Sequence, residues 1–233
     1  MTTEKPTSEN PLFNLLINVV LPSFVLIKLS EPDKLGAVYG LIVALAFPLV
    51  YGIKELIAKR KVNFLSVLGL ISILLTGTLG LLELDANWIA VKEAFIPLLI
   101  GIAVIVSLHT KYPLVEKLLL NHQLFNLALI NEAIERHGTH VQFKKTLKRV
   151  SYMIAFSFLV SAALNYGLAK YLLVSPPGTP AFNEELGRMT ALSFPIIALP
   201  STAMMMIALW YLVKQLSAIT HLTFEEMVDK QKR

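Results

Sequence analysis

The chain has 233 residues, 55% of them apolar and 16% charged, with a mean hydropathy of +0.63, a net charge of +5 and no cysteine. Soluble domains carry about a quarter charged residues and disordered chains are poor in apolar ones, so both classes are excluded. The missing cysteines exclude disulfides and thiolate chemistry.

Apolar windows run over 12–29, 37–57, 62–82, 88–108, 150–174 and 189–213. Each is close to the roughly 20 residues that a membrane-spanning helix needs. Within them only Lys28, Lys54, Glu55, Lys92, Glu93 and Lys170 are charged, the segregation that hydrocarbon imposes. The predicted fold is therefore an all-α integral membrane protein, a six-transmembrane-helix bundle of three helical hairpins.

The order is a tail over 1–11, four spans over 12–108, a soluble segment over 109–149, two spans over 150–213 and a tail over 214–233. Residues 1–10 are polar without a basic n-region. The first apolar run ends in Lys28-Leu29-Ser30-Glu31-Pro32, not at a small-x-small cleavage site. The first span is thus expected to stay in the mature protein.

Basic residues set the orientation. Lys5, Lys54, Lys59, Arg60 and Lys61 fall on one side. So do Lys111, Lys117, Arg136, Lys144, Lys145, Lys148 and Arg149, with Lys214, Lys230, Lys232 and Arg233. Lys28, Lys34, Lys92, Lys170 and Arg188 fall on the other. The positive-inside rule places both termini in the cytoplasm, and the basic balance then reports topology, not nucleic-acid binding.

Spans one and two are joined by Ser30-Glu31-Pro32-Asp33-Lys34, and spans three and four by Glu83-Leu84-Asp85-Ala86-Asn87, with Trp88 as an interfacial aromatic. Spans five and six are joined by the stiff turn Ser175-Pro176-Pro177-Gly178-Thr179-Pro180, with a short helix start over 182–188. Even-numbered spans carry Phe47-Pro48-Leu49, Phe95-Ile96-Pro97-Leu98 and Phe194-Pro195-Ile196. Pro22, Pro48, Pro97, Pro195 and Pro200 should each kink a helix and free a carbonyl. Such breaks are either re-satisfied by neighbours or line a solute site.

Gly36-x-x-x-Gly40, Thr76-x-x-x-Gly80 and Ser157-x-x-x-Ser161 are pairs of small residues that let helices approach closely, within one bundle or in a homo-oligomer. Leu127, Ile130 and Ile134 recur at helical spacing in an amphipathic helix stopped near Gly138. Thr139-x-x-Gln142 reads as a capping box whose helix continues into span five. The result is a cytoplasmic amphipathic helical hairpin lying against the membrane or the bundle. Its Lys144, Lys145, Lys148 and Arg149 would meet anionic lipid headgroups. A second capping box, Thr223-x-x-Glu226, opens a short helix in the tail.

Lys92 and Glu93 leave only the stretch 94–108 after them, about 22 Å of helix against roughly 30 Å of hydrocarbon. They should sit inside the outer margin of the core. Adjacent residues point about 100° apart on a helix, so each is expected to find a partner elsewhere. The candidate intramembrane polar cluster is Lys92, Glu93, Asn165, Glu184, Glu185 and Arg188, with Glu93 meeting Arg188 and Lys92 turning to Glu184, Glu185 or Asn165. Its use is either an interhelical ion pair or a functional site. Asn14 and Asn18 form a secondary polar face suited to interhelical hydrogen bonds. Met204-Met205-Met206 reads as packing. His109, His122, His137, His140 and His221 read as solvated surface without a metal-ligand pattern. No Walker A, GxSxG, HExxH or Rossmann fingerprint occurs. No catalytic residue, metal or cofactor is expected.

The stretches Asn63-Phe64-Leu65-Ser66, Leu74-Leu75-Thr76-Gly77 and Lys92-Glu93-Ala94-x-Ile96-Pro97-Leu98-Leu99 occur in this order. They are followed by Ser175-Pro176-Pro177-Gly178-Thr179-Pro180-Ala181-Phe182-Asn183-Glu184-Glu185-Leu186-Gly187-Arg188-Met189-Thr190. Together the chain resembles the intracellular septation protein A-like family of bacterial inner-membrane proteins over most of residues 10–215. The resemblance implies a non-enzymatic role in envelope or septation maintenance through protein or lipid contacts. The other reading is a small-solute or ion transporter or channel, motivated by the proline-broken spans and the charged cluster.

Overall fold

An apolar segment in hydrocarbon must satisfy its own backbone polar groups, which a helix does. A computed structural model describes residues 11–59, 64–110, 113–120 and 125–228, and all the regular structure among them is helical. Lys5, Arg60, Lys61, Asn63, Lys111, His122, Lys230, Lys232 and Arg233 lie outside the described residues. Among the described residues, four helices are long and apolar enough to cross a membrane: Gly36–Lys54, Ala86–Ser107, His140–Leu172 and Pro180–Thr220. Leu12–Lys28 and Leu70–Leu81 are shorter apolar helices. Many of the apolar side chains are exposed, among them Tyr39, Val50, Phe95, Phe156 and Ile207.

The elements in chain order are α1 (Pro11–Leu15), a π-helical turn (Leu16–Val20), α2 (Leu21–Lys28), α3 (Gly36–Lys59), α4 (Phe64–Leu81), α5 (Ala86–Ser107) and α6 (Leu114–Leu119). They continue with α7 (Leu127–His137), α8 (His140–Leu172), α9 (Pro180–Ser193), a second π-helical turn (Phe194–Ala198), α10 (Leu199–Thr220) and α11 (Phe224–Val228). The prolines act in two ways. Pro48 and Pro97 sit inside unbroken α3 and α5, whereas Pro22 and Pro200 lie in the first turn of α2 and α10, each directly after a π turn. A wider turn there accommodates the missing N–H without ending the helix. The last span is also longer than its apolar window, because Thr179 caps α9 and accepts a hydrogen bond from the Phe182 N–H at 3.2 Å.

The chain forms two compact units, one from the start to Ala94 with Leu164–Ile197, the other from Phe95–Ala163 with Ala198 to the end. In the first, the core gathers Leu26, Leu41, Ala44, Ile89, Phe182 and Leu186. Glycines set its helix approaches. A Cβ on Gly187 of α9 would lie 2.8 Å from Ile27 Cγ1, 2.9 Å from Leu26 Cβ and 3.1 Å from the Ser23 carbonyl of α2. On α4, a Cβ at Gly77 would meet Leu45 at 3.0 Å and one at Gly80 would meet Leu41 at 2.7 Å, so two leucines one turn apart on α3 seat on two glycines.

In the second unit, Ile130 and Ile134 of α7 are buried in a core with Leu212 and Leu216 of α10 and Met227 of α11. The apolar face of the amphipathic helix thus packs on the protein. It ends at Gly138 with φ +63°, a left-handed cap that glycine adopts without strain. Thr139 departs from the expected capping box. Its hydroxyl donates 3.1 Å to the Ile219 carbonyl, near the end of α10. The tail box forms as expected: the Thr223 N–H donates to Glu226 at 2.8 Å and the Glu226 N–H to Thr223 Oγ1 at 3.3 Å. Helix α8 then runs 33 residues without interruption, about 50 Å at 1.5 Å per residue.

Two of the small-residue pairs place a glycine against another part of the chain, and the third makes a bond within its own helix. Gly40 packs against Ser30, Gly80 against Leu41, and the buried Ser157 hydroxyl donates 2.8 Å to the Ile154 carbonyl. Gly36 opens α3 at φ +72° with nothing near its Cβ position, so it serves the turn instead of a helix contact.

Candidate functional site

The polar centre of the first unit is Lys92. Its position on α5 turns inward beside Ile89, and only 8% of its side chain is exposed. The facing helix α4 supplies Ser72 and Thr76, four residues apart and therefore on one face. The Lys92 Nζ donates to Thr76 Oγ1 at 2.5 Å and to Ser72 Oγ at 3.2 Å, and it pairs with Glu93 Oε1 at 2.6 Å. The Thr76 hydroxyl passes its own proton on to the Ser72 carbonyl at 3.0 Å. The ammonium also donates to the Ser72 carbonyl at 3.4 Å, so its hydrogen bonds go to α4 while Glu93 supplies the counter-charge and leaves this knot of contacts neutral.

This corrects the expected pairing. Glu93 meets Lys92 and not Arg188, because the four-carbon lysine stem curls back far enough to overcome the angle between neighbours. Arg188 pairs with Glu184 at 2.5 Å, one turn before it on the exposed face of α9. Glu185 serves the preceding loop, accepting from the Val174 and Ser175 N–H groups at 2.9 Å each and from the Ser175 hydroxyl at 2.6 Å. Asn165 is half-buried on α8. The five charged residues thus form separate local arrangements instead of one cluster. Asn14 and Asn18 likewise bond each other within their own helix, Asn18 Nδ2 donating to Asn14 Oδ1 at 2.9 Å and to the Asn14 carbonyl at 3.0 Å. That corrects the interhelical role expected for them.

Other polar contacts arise where no motif pointed. Asn183, 1% exposed, donates from Nδ2 to the Ala37 carbonyl at 2.7 Å and to Ser30 Oγ at 3.1 Å, tying α9 to the turn before α3. Lys170 of α8 donates to Asn87 at the start of α5. In the loop before α3, a hydrogen bond to the Glu31 carboxylate raises the Lys34 amine above its ordinary range. The Ser72-x-x-x-Thr76 spacing on an otherwise apolar helix was the signal available for Lys92's partners. For Asn183 only its place in the long proline-flanked stretch was visible.

In the second unit, Lys144, Lys145, Lys148 and Arg149 are all exposed at the start of α8. His137 and His221 meet edge to face with centroids 4.8 Å apart, each beside the end of its helix, while His140 is exposed without a ring contact to them. Among the described residues no group of three or more His, Cys, Asp or Glu could hold a metal ion. Met205 and Met206 are exposed and Met204 is half-buried. No known family, curated protein or solved structure shows a significant match to the chain.

Proposed function

We propose that the chain is a non-enzymatic, six-span protein of a bacterial inner membrane, with both termini in the cytoplasm, that serves envelope or septation maintenance through lipid and protein contacts. The observation that carries this reading is the exposed basic face of Lys144, Lys145, Lys148 and Arg149, on a helix that continues unbroken into a segment long and apolar enough to cross a membrane. A polybasic run immediately beside a span is the pattern that recruits anionic lipid. The family resemblance supplies the envelope or septation part. The charged residues give transport no separate support, since Lys92 is engaged by Glu93, Ser72 and Thr76 inside the protein.

The six-span count adds Leu12–Lys28 and α4, 18 residues long, to the four longer helices; both are near the lower length limit of about 17 residues. Reporter fusions after residues 34, 86 and 180 should therefore read outside, and those after 60, 138 and 225 inside. One fusion on the wrong side breaks this arrangement.

The functional test uses the purified chain in neutral micelles doped with labelled phosphatidylglycerol or phosphatidylcholine. The chain should enrich the anionic lipid. Changing Lys144, Lys145, Lys148 and Arg149 to Gln should lower that enrichment about tenfold or more, given about 1 kcal/mol per near-surface cation. High salt should shrink the difference. Equal enrichment before and after the change would mean that these charges serve orientation alone.

A further inference from the structure

We propose that α8 and α10 together hold a headgroup site for a phospholipid carrying two phosphates, with Lys148, Arg149 and Lys214 as its cations. The proposal rests on the anionic-lipid reading above and names the ligand class within it.

Depth is the first argument. Along α8 the exposed stripe Lys144, Lys148, Tyr152, Phe156 passes from cations through an aromatic ring to an apolar side chain. Along α10 the exposed stripe Met206, Trp210, Lys214 makes the same passage in the opposite chain direction. Each steps by four residues, so each lies on one helix face. In both, the ammonium sits over the ring one turn away: Lys148 is 5.9 Å from the Tyr152 centroid and Lys214 is 5.0 Å from that of Trp210. Arg149 donates from Nη1 to the Tyr211 hydroxyl at 3.2 Å, which brings the two stripes to one level. Rings at that level with cations one turn beyond them mark the boundary between acyl chains and headgroups.

Charge is the second argument. Lys34, Lys92, Arg136 and Arg188 each pair with a carboxylate within 3 Å. Lys148, Arg149 and Lys214 have no such partner among the described residues. Exposed cations gathered at headgroup depth without a protein counter-charge are complementary to phosphate.

Stoichiometry selects the class. A single phosphodiester carries one negative charge, whereas three cations on two helices face this level. Two phosphates joined through one headgroup let each helix hold one. The Tyr211 hydroxyl occupies one Arg149 proton and steadies the guanidinium between the helices, leaving its remaining donors for a phosphate in the forked geometry arginine favours. Once the first phosphate is bound, the second binds at high effective concentration.

The experiment is native mass spectrometry of the full chain in neutral detergent, titrated with cardiolipin or with phosphatidylglycerol at equal total phosphate. Cardiolipin should be retained about tenfold better, by the gain of two-point attachment. Arg149→Gln and Lys214→Gln should each abolish that preference, while Lys144→Gln and Lys145→Gln keep it. Unchanged helical circular dichroism serves as the folding check, and Tyr211→Phe, which keeps the ring, should reduce the preference without loss of fold. Equal retention of the two lipids, or a preference indifferent to Lys214, overturns the proposal while leaving the anionic-lipid reading intact. Absence of any anionic retention overturns both.

Discussion

Replacing Lys92 with methionine should lower the stability of the protein in detergent by about 3 kcal/mol, the low end of what breaking a buried ion pair costs. The low end applies because the abandoned Glu93 is 24% exposed and so only partly desolvated. Thr76 and Ser72 lose a donor at the same time, and a buried oxygen left without its partner adds to the loss. Changing both members, Lys92→Met with Glu93→Met, should return stability to within about 1 kcal/mol of the wild type, since apolar pairs of similar volume replace buried ion pairs well. Arg188→Gln is the control. Its pair with Glu184 is 60% and 44% exposed, so the change should cost about 1 kcal/mol or less. Thermal unfolding measured by circular dichroism ranks the three. A Lys92 variant as mild as the Arg188 variant would mean that the ammonium is solvated and the knot does not exist.

Gly187→Ala should destabilise the protein by about 2 kcal/mol, a typical cost of forcing an extra methyl into a packed contact. The new carbon would meet Leu26 Cβ at 2.9 Å and the Ser23 carbonyl at 3.1 Å, neither of which is the free end of a flexible chain. Helices α2 and α9 would have to move apart. Gly167→Ala makes the comparison clean, because nothing lies within 4 Å of its Cβ position. That change should stabilise α8 by about 0.5–1 kcal/mol through lower backbone entropy in the unfolded chain. The paired melts decide the matter: equal responses at the two glycines would show that α9 does not approach α2 as closely as described.

What the residues disclosed in advance was whatever acts within one turn of helix or through bulk solvation. Charge segregation along the chain reveals helices long and apolar enough to cross a membrane, because hydrocarbon excludes charge whatever the fold. The α7 stripe of Leu127, Ile130 and Ile134, the glycine stop at Gly138 and the Thr223–Glu226 box all depend on neighbours three or four residues away. Lys92 and Glu93 stood out for the same reason, as charges inside an apolar run. Their partner did not. An ammonium on a flexible stem takes whichever oxygens the fold brings near, and these were a residue beside it and two hydroxyls on α4.

The prolines show the same division. That each frees a carbonyl follows from its ring, but whether the helix kinks or widens into a π turn depends on the neighbours packed around it. Asn183 reaches Ser30 and Ala37, each more than a hundred positions away in the chain, and no local spacing announces such a contact. The basic run of α8 was legible as charge. That Arg149 reaches Tyr211 of α10 is decided by the tertiary structure, because a contact between residues 62 positions apart is a property of two helices and not of either alone.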